Sequence, residues 1–176
     1  MYTESNTEKI YIDSYNFKML QSEAALTGID INKLVNNIIK NYIDYDRIAD
    51  RVNVLHVRPP FIQSVFSQLS LDTLTKLGKT HGTLGPKTMM DNLRLPFNYN
   101  SALILVEEYI GKKFNWFKTD ISEKDGVLKI NLVHSINKNW SEYLSVFLIT
   151  MFALFGLSEI SKKISDNHIE VVLRKP

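Results

Sequence analysis

Four histidines, His56, His81, His134 and His168, carry most of the acid–base and metal-ligating chemistry available here, because the 176-residue chain has no cysteine. Disulfides, thiolate zinc sites, iron–sulfur clusters and cysteine nucleophiles are therefore excluded. The histidines fall in four different elements and lack the close paired spacing of a metal cluster. A site assembled across strands from His56, His134 and His168 is the one arrangement left. The expectation is that the histidines act singly and that no metal or cofactor is bound. "GKTHGTLGPKT", Gly78 to Thr88, holds three glycines, two lysines and three threonines. It misses the spacing of a phosphate-binding P-loop and follows a helical pattern rather than a strand. It reads as a flexible loop whose Lys79 and Lys87, with the later Arg94, could touch DNA phosphates. "HSINKNWSEYL", His134 to Leu144, places a histidine, a tryptophan and a serine at a strand-to-helix junction. His134 and Trp140 are thus candidates for a ligand pocket there, with Trp140 also suited to anchoring a core. No Ser-His-Asp order and no paired carboxylates are present, so an enzyme is not expected.

The charge is unevenly spread. Residues 1–50 carry five Lys/Arg against eight Asp/Glu, whereas the remainder carries sixteen against eleven. The most apolar run, Tyr143 to Ser158, has no charge and is bounded by Glu142 and Glu159. A membrane span needs about 20 such residues, so this run is expected to be a buried core helix. The opening "MYTESNTEKI" lacks the basic and apolar regions of an export signal. A cytoplasmic location, away from membranes, is the expectation.

The elements that position these groups begin with "EKIYIDSYNF", Glu8 to Phe17. Ile10 and Ile12 alternate with Lys9, Tyr11 and Asp13, which predicts a short strand. The period then changes: Phe17, Leu20, Ala24 and Ala25 mark a helical stripe that Gly28 ends. Asp30 stands where an N-cap would, ahead of Leu34, Val35, Ile38, Ile39, Tyr42 and Ile43. Strand, helix, turn and helix in about 45 residues cannot cover that second apolar face, and a lone strand has two open edges. A homodimer solves both problems. The strands of two copies pair antiparallel, Ile10 and Ile12 face the shared core, and Lys9, Tyr11 and Asp13 face out.

"KIYID" followed by "FKMLQSEAALTGIDINKLVNNIIKNYI" resembles the ribbon-helix-helix superfamily typified by the MetJ and Arc repressors. The resemblance covers about a quarter of the chain. It implies an intertwined dimer whose two-stranded ribbon enters the major groove of double-stranded DNA. The implied base-reading residues are Lys9 and Tyr11, with Thr7 and Asp13 at the margins. Phosphate would be held by backbone N–H groups at Ile31, Asn32 and Lys33. The chain departs from the superfamily in having a single Lys on the strand beside an acidic neighbour. Nonspecific DNA affinity comes from neutralised phosphates, so a unit that dimerises without binding DNA is the competing reading.

Beyond "DYDRIADR", the spacing predicts a strand at "VNVLHV", Val52 to Val57, and a helix begun by Pro59 and Pro60 that Gly78 ends or loosens. A loop and a short helix are expected next, then a helix capped near Asn98 or Asn100. A hairpin is expected from Trp116 to Ile136 around Asp125-Gly126. A long helix follows, capped by Asn139 or Ser141 and running to Ile164, and then a strand with Ile169, Val171 and Leu173 alternating. Leu128, Ile130, Leu132 and His134 share one face. Extra helices apart, this is the βαββαβ order of a ferredoxin-like sandwich with an antiparallel sheet. The fold class expected is α+β. A ribbon-helix-helix DNA-binding and dimerisation domain would occupy residues 5–48, and an α+β regulatory or oligomerisation domain residues 52–176. The layout resembles the nickel-responsive repressors, but without their cysteine no nickel site carries over. The expected function is a dimeric or higher-order DNA-binding regulator with a possible small-molecule effector. The rival is an interaction or scaffold protein.

Overall fold

Two aspartates set the helices at the start of the chain. Asp13 Oδ1 accepts from the backbone N–H groups of Tyr15 (3.0 Å) and Asn16 (2.9 Å) and so begins α1, Ser14–Thr27. Gly28 ends it in the left-handed region at φ 66°, its N–H returning to the Ala24 carbonyl. Asp30 Oδ1 then accepts from Asn32 (2.9 Å) and Lys33 (3.2 Å) and begins α2, Ile31–Asn41. A π-helical turn, Tyr42–Asp46, and α3, Arg47–Arg51, follow. The computed structural model describes residues 9–51 and 57–176. By their contacts they divide into two compact units, Met1–Asp46 and Arg47–Pro176. The described residues are mixed α+β.

The expected N-terminal strand is not present as a strand: residues 9–13 are irregular. A ladder needs a second strand, and the described residues of the first unit contain none. The "VNVLHV" strand falls largely on residues 52–56, and these, with His56, lie outside the described residues.

In the second unit, α4 spans Pro59–Ser67 with its two prolines in the first turn, as the sequence predicts. It then stops short. Ser70 caps a new helix, α5, by accepting from the Thr73 N–H at 3.2 Å. α5 runs unbroken over Leu71–Leu93, through Gly78, Gly82, Gly85 and Pro86. The expected loop at Gly78–Thr88 is therefore helix. Two of the glycines allow this because the space of their missing Cβ atoms is used by a neighbour. A Cβ on Gly82 would lie 2.7 Å from the Phe147 carbonyl oxygen and 2.8 Å from Thr150 Cβ; one on Gly78 would lie 2.7 Å from Val146 Cβ. All of these atoms belong to α7, Lys138–Ala153. α5 and α7 thus meet backbone to backbone.

Between them in sequence come α6, Tyr99–Ile104, which Asn98 caps, and a π-helical segment, Leu105–Lys113. The hairpin β1, Lys118–Lys124, and β2, Val127–Val133, turns at Asp125 (φ 52°) and Gly126 (φ 73°), the positive pair of a type I′ turn. Asn137, rather than Asn139 or Ser141, caps α7 by accepting from the Trp140 N–H at 3.0 Å. Asn139 instead donates to the carbonyls of Phe66 (2.8 Å) and Leu69 (3.2 Å), holding the end of α4.

The long helix expected up to Ile164 ends at Ala153. Gly156, at φ 84°, turns the chain into β3, Ser158–Ile164, which pairs with β4, His168–Arg174. The sheet order is β1-β2-β4-β3, antiparallel throughout. The described connectivity is hairpin, helix, hairpin, and so departs from the ferredoxin-like order. The local signal missed is Gly156; "SEISKKI" itself carries Ile160 and Ile164 four residues apart, a spacing that also suits a helix. Leu128, Ile130, Leu132, Ile169, Val171 and Leu173 are buried on one face, against which α7 packs. The other side of α7 meets α5, so the core is layered as sheet, α7 and α5.

Gly82→Ala should destabilise the fold by about 1–3 kcal/mol, because overpacking against α7 backbone outweighs a gain in helix propensity of about 1 kcal/mol. Gly85→Ala should instead stabilise it, by up to about 1 kcal/mol, since nothing lies within 4 Å of where the new Cβ would stand. Urea unfolding of the two variants checks the opposite signs.

Candidate functional site

Within the first unit, α1 and α2 pack on each other, and Ala24 is the one buried residue of α1. No residue of α2 is buried, although its apolar side chains line up on one face. Ile38 is 49% and Ile39 39% exposed, and Tyr42 and Ile43 are exposed beside them. A groove of about 560 Å³ runs between this face and the N-terminal arm. Ile10, Ile12, Phe17, Ile31, Val35 and Ile39 are its apolar lining. Ile10 and Ile12 border it together with Tyr11, which the alternation expects on the opposite side. Such a face costs free energy in water, since burying one Val, Ile or Phe side chain contributes about 1.5–3 kcal/mol.

The sequence-predicted DNA contacts divide into groups. Lys9 is exposed, and Tyr11 is 93% exposed although it borders the groove. Asp13 is the cap of α1, and its second carboxylate oxygen takes the Asn16 side-chain amide at 2.6 Å. These hydrogen bonds lower its pKa, the backbone N–H of Asn16 contributing most. A carboxylate so engaged does not present itself to a base edge. Thr7 lies outside the described residues. Ile31, Asn32 and Lys33 do form the first turn of α2, but Asp30 occupies the N–H groups of Asn32 and Lys33. A phosphate there would compete with a carboxylate already in place. The cap was legible as a cap; its conflict with the phosphate role follows from the geometry.

The ligand candidates of the second unit are both core residues. His134 continues the buried face of β2. The Ile136 N–H donates to its Nδ1 at 3.2 Å, which leaves the ring proton on Nε2, donating to Ser141 Oγ at 2.8 Å. Burial lowers the His134 pKa to about 4. Trp140 is buried among Phe66, Trp116 and Tyr143, with ring centroids 4.7–5.2 Å away. Its indole Nε1 has no hydrogen-bond partner among the described residues. A hollow of about 410 Å³ does open at this junction, but its walls are Gln63, Ser67, Ile136, Asn137, Asn139 and their neighbours. His134 and Trp140 are not among them. Of the asparagines that line it, Asn139 is expected from the sequence only as a cap and Asn137 is not singled out.

The other candidates disperse. His81 Nδ1 lies 3.0 Å from the hydroxyl of Tyr143, whose pKa burial raises to about 12. His168 sits on the opposite sheet face from His134. Among the described residues no group of three His, Cys, Asp or Glu converges to hold a metal ion. Lys79 and Lys87 project from a helix, Lys87 pairing with Asp91 at 2.8 Å, and Arg94 is the left-handed C-cap of α5. Among the described residues no helix is long and apolar enough to cross a membrane. No model of a known protein family matches the chain, and no curated protein matches it.

His134 is neutral in the folded chain down to about pH 4, whereas an ordinary imidazole titrates near 6.5. Between these values the unfolded chain binds more protons, so stability falls as the pH drops from 6.5 toward 4. His134→Gln keeps the donor to Ser141 and removes the titration. Denaturant midpoints across that range should flatten in the variant.

Proposed function

We propose that the chain is a homodimeric, cytoplasmic DNA-binding regulator. Its first unit would be a ribbon-helix-helix half-module completed by a second copy, and its second unit an oligomerisation or sensor domain. The observation that carries this reading is the open apolar groove between the Ile10–Ile12 arm and α2. Two copies placed face to face bury both α2 faces and give each arm the ladder partner it lacks. Ile10 and Ile12 then close the core, and Lys9 and Tyr11 project outward as the base-reading pair in a major groove wide enough for a two-stranded ribbon. Asp13 ends the ribbon as a cap.

A second reading keeps the dimer and drops the DNA. It is favoured by the excess of eight Asp/Glu over five Lys/Arg in residues 1–50 and by the Asp30 carboxylate at the start of α2. Asp30→Ser separates the two. Serine keeps an N-cap and removes the negative charge, so DNA affinity should rise in a regulator and stay nil in a pure dimerisation module.

Sedimentation equilibrium of the full chain should show a dimer at micromolar concentration. Ile39→Glu puts a carboxylate on the face that association would bury in each copy, and should weaken association by more than about a hundredfold. A wild-type monomer at that concentration overturns the proposal. Selection of binding sites from a random duplex pool should yield a consensus that Lys9→Ala with Tyr11→Ala abolishes while the dimer persists. Recovery of no consensus leaves the dimerisation-only reading in its place.

A further inference from the structure

We infer that the open face of the β1–β4 sheet is a docking surface for the phosphate backbone of duplex nucleic acid, bound without regard to base sequence. One face of this sheet is covered by α7; the pleat sends the alternate residues to the other side. The register places Lys118 opposite Val133, and sets Lys124 and Arg174 on either side of Val127. Lys129 and Lys163 stand on the same face, as do two carboxylates, Asp120 and Glu170. Five of the sixteen Lys/Arg after residue 50 and two of the eleven Asp/Glu are thus on this face, giving +3 out of a total of +5.

Glu170 bridges Lys129 (2.5 Å) and Lys163 (3.0 Å), and these two lysines hold its pKa down at about 2. Lys118, Lys124 and Arg174 have no carboxylate within ion-pair distance among the described residues. Three unneutralised cations on a rigid sheet, facing away from the core, are complementary to a polyanion.

The neutral residues of the face choose among polyanions. Single-stranded nucleic acid is held by bases stacking on aromatic rings, and no Phe, Tyr or Trp of the four strands points outward here. A lipid surface is entered by large apolar side chains; the apolar residues that the register sets outward are Val127, Val133 and Val172, and Ile160, 45% exposed at the irregularity of β3, is the single larger one exposed on the four strands apart from these. A duplex backbone needs cations and little else. In a regulator of the kind proposed above, on which this assignment rests, the face supplies the charge that the acidic first unit lacks.

The test uses the full chain and a short fluorescent duplex of random sequence, with affinity followed by anisotropy against salt. Wild type should bind with a steep salt slope. Lys118→Ala/Lys124→Ala/Arg174→Ala should lower that slope by about 3, at about 0.9 per lost phosphate contact. The charge-keeping variant Lys118→Arg/Lys124→Arg/Arg174→Lys should restore it, which separates charge from folding. A triple-alanine slope equal to that of wild type overturns the assignment, as does a wild type with no salt-sensitive affinity for the duplex. Tighter binding to phosphatidylserine vesicles than to the duplex also overturns it and gives the face to a lipid. In parallel, Lys9→Ala with Tyr11→Ala should change sequence preference while shifting the slope by no more than about 1. Preference surviving in that variant sinks the arm and leaves the face standing.

Discussion

The burial of α7 is the constraint on which the second unit depends. Nine of its sixteen residues are buried, on several sides of the helix. A helix apolar all round must be covered all round. The sheet provides one wall through Leu128, Ile130, Leu132, Ile169, Val171 and Leu173. α5 provides the opposite wall, and α4 and α6 close further contacts. The same constraint stands unmet in the first unit, where the apolar face of α2 borders an open groove. The second unit has a core of its own; in the first, Ala24 is the one buried residue of α1 and no residue of α2 is buried.

The α5–α7 contact shows how local cost is offset at long range. Three glycines and a proline inside one helix are each unfavourable by helix propensity, with proline the worst at about 3 kcal/mol. Gly78 and Gly82 offset this by letting the α7 backbone approach where any Cβ would intrude. Pro86 lies on the same buried side as Leu74, Gly78, Gly82 and Met90. Close helix packing also places His81 within hydrogen-bonding distance of Tyr143.

Signals confined to a few neighbouring residues were legible in the sequence. Gly28 and Asp30, the prolines opening α4, the Asp125-Gly126 turn and the alternating core residues of β2 and β4 all have their expected structures. Features decided by distant partners were not legible. The middle of α5, Gly78–Thr88, reads as a loop because its compensation comes from α7, some 65 residues later in the chain. β3 reads as helix because Gly156 is its only local warning and its ladder partner comes afterwards. His134 and Trp140 are polar enough to suggest a pocket, yet tertiary contacts turn one into a buried hydrogen-bond bridge and the other into a ring anchor. At the arm, Ile10, Tyr11 and Ile12 all border the groove, so the expected alternation does not sort them, and Asp13, read as an outward strand residue, is instead the cap of α1.

The register of β3 changes between Glu159 and Ser161, and the strand then carries Lys162 and Lys163 in succession. Such an irregularity bends an outermost strand and spoils its row of free amides and carbonyls as a template for strand addition. The opposite border, β1, is guarded by its own charges, Lys118, Asp120, Glu123 and Lys124. Neither border therefore invites a neighbouring molecule to continue the sheet. Self-association through extension of this sheet, the usual hazard of a four-stranded open sheet, is discouraged at both ends.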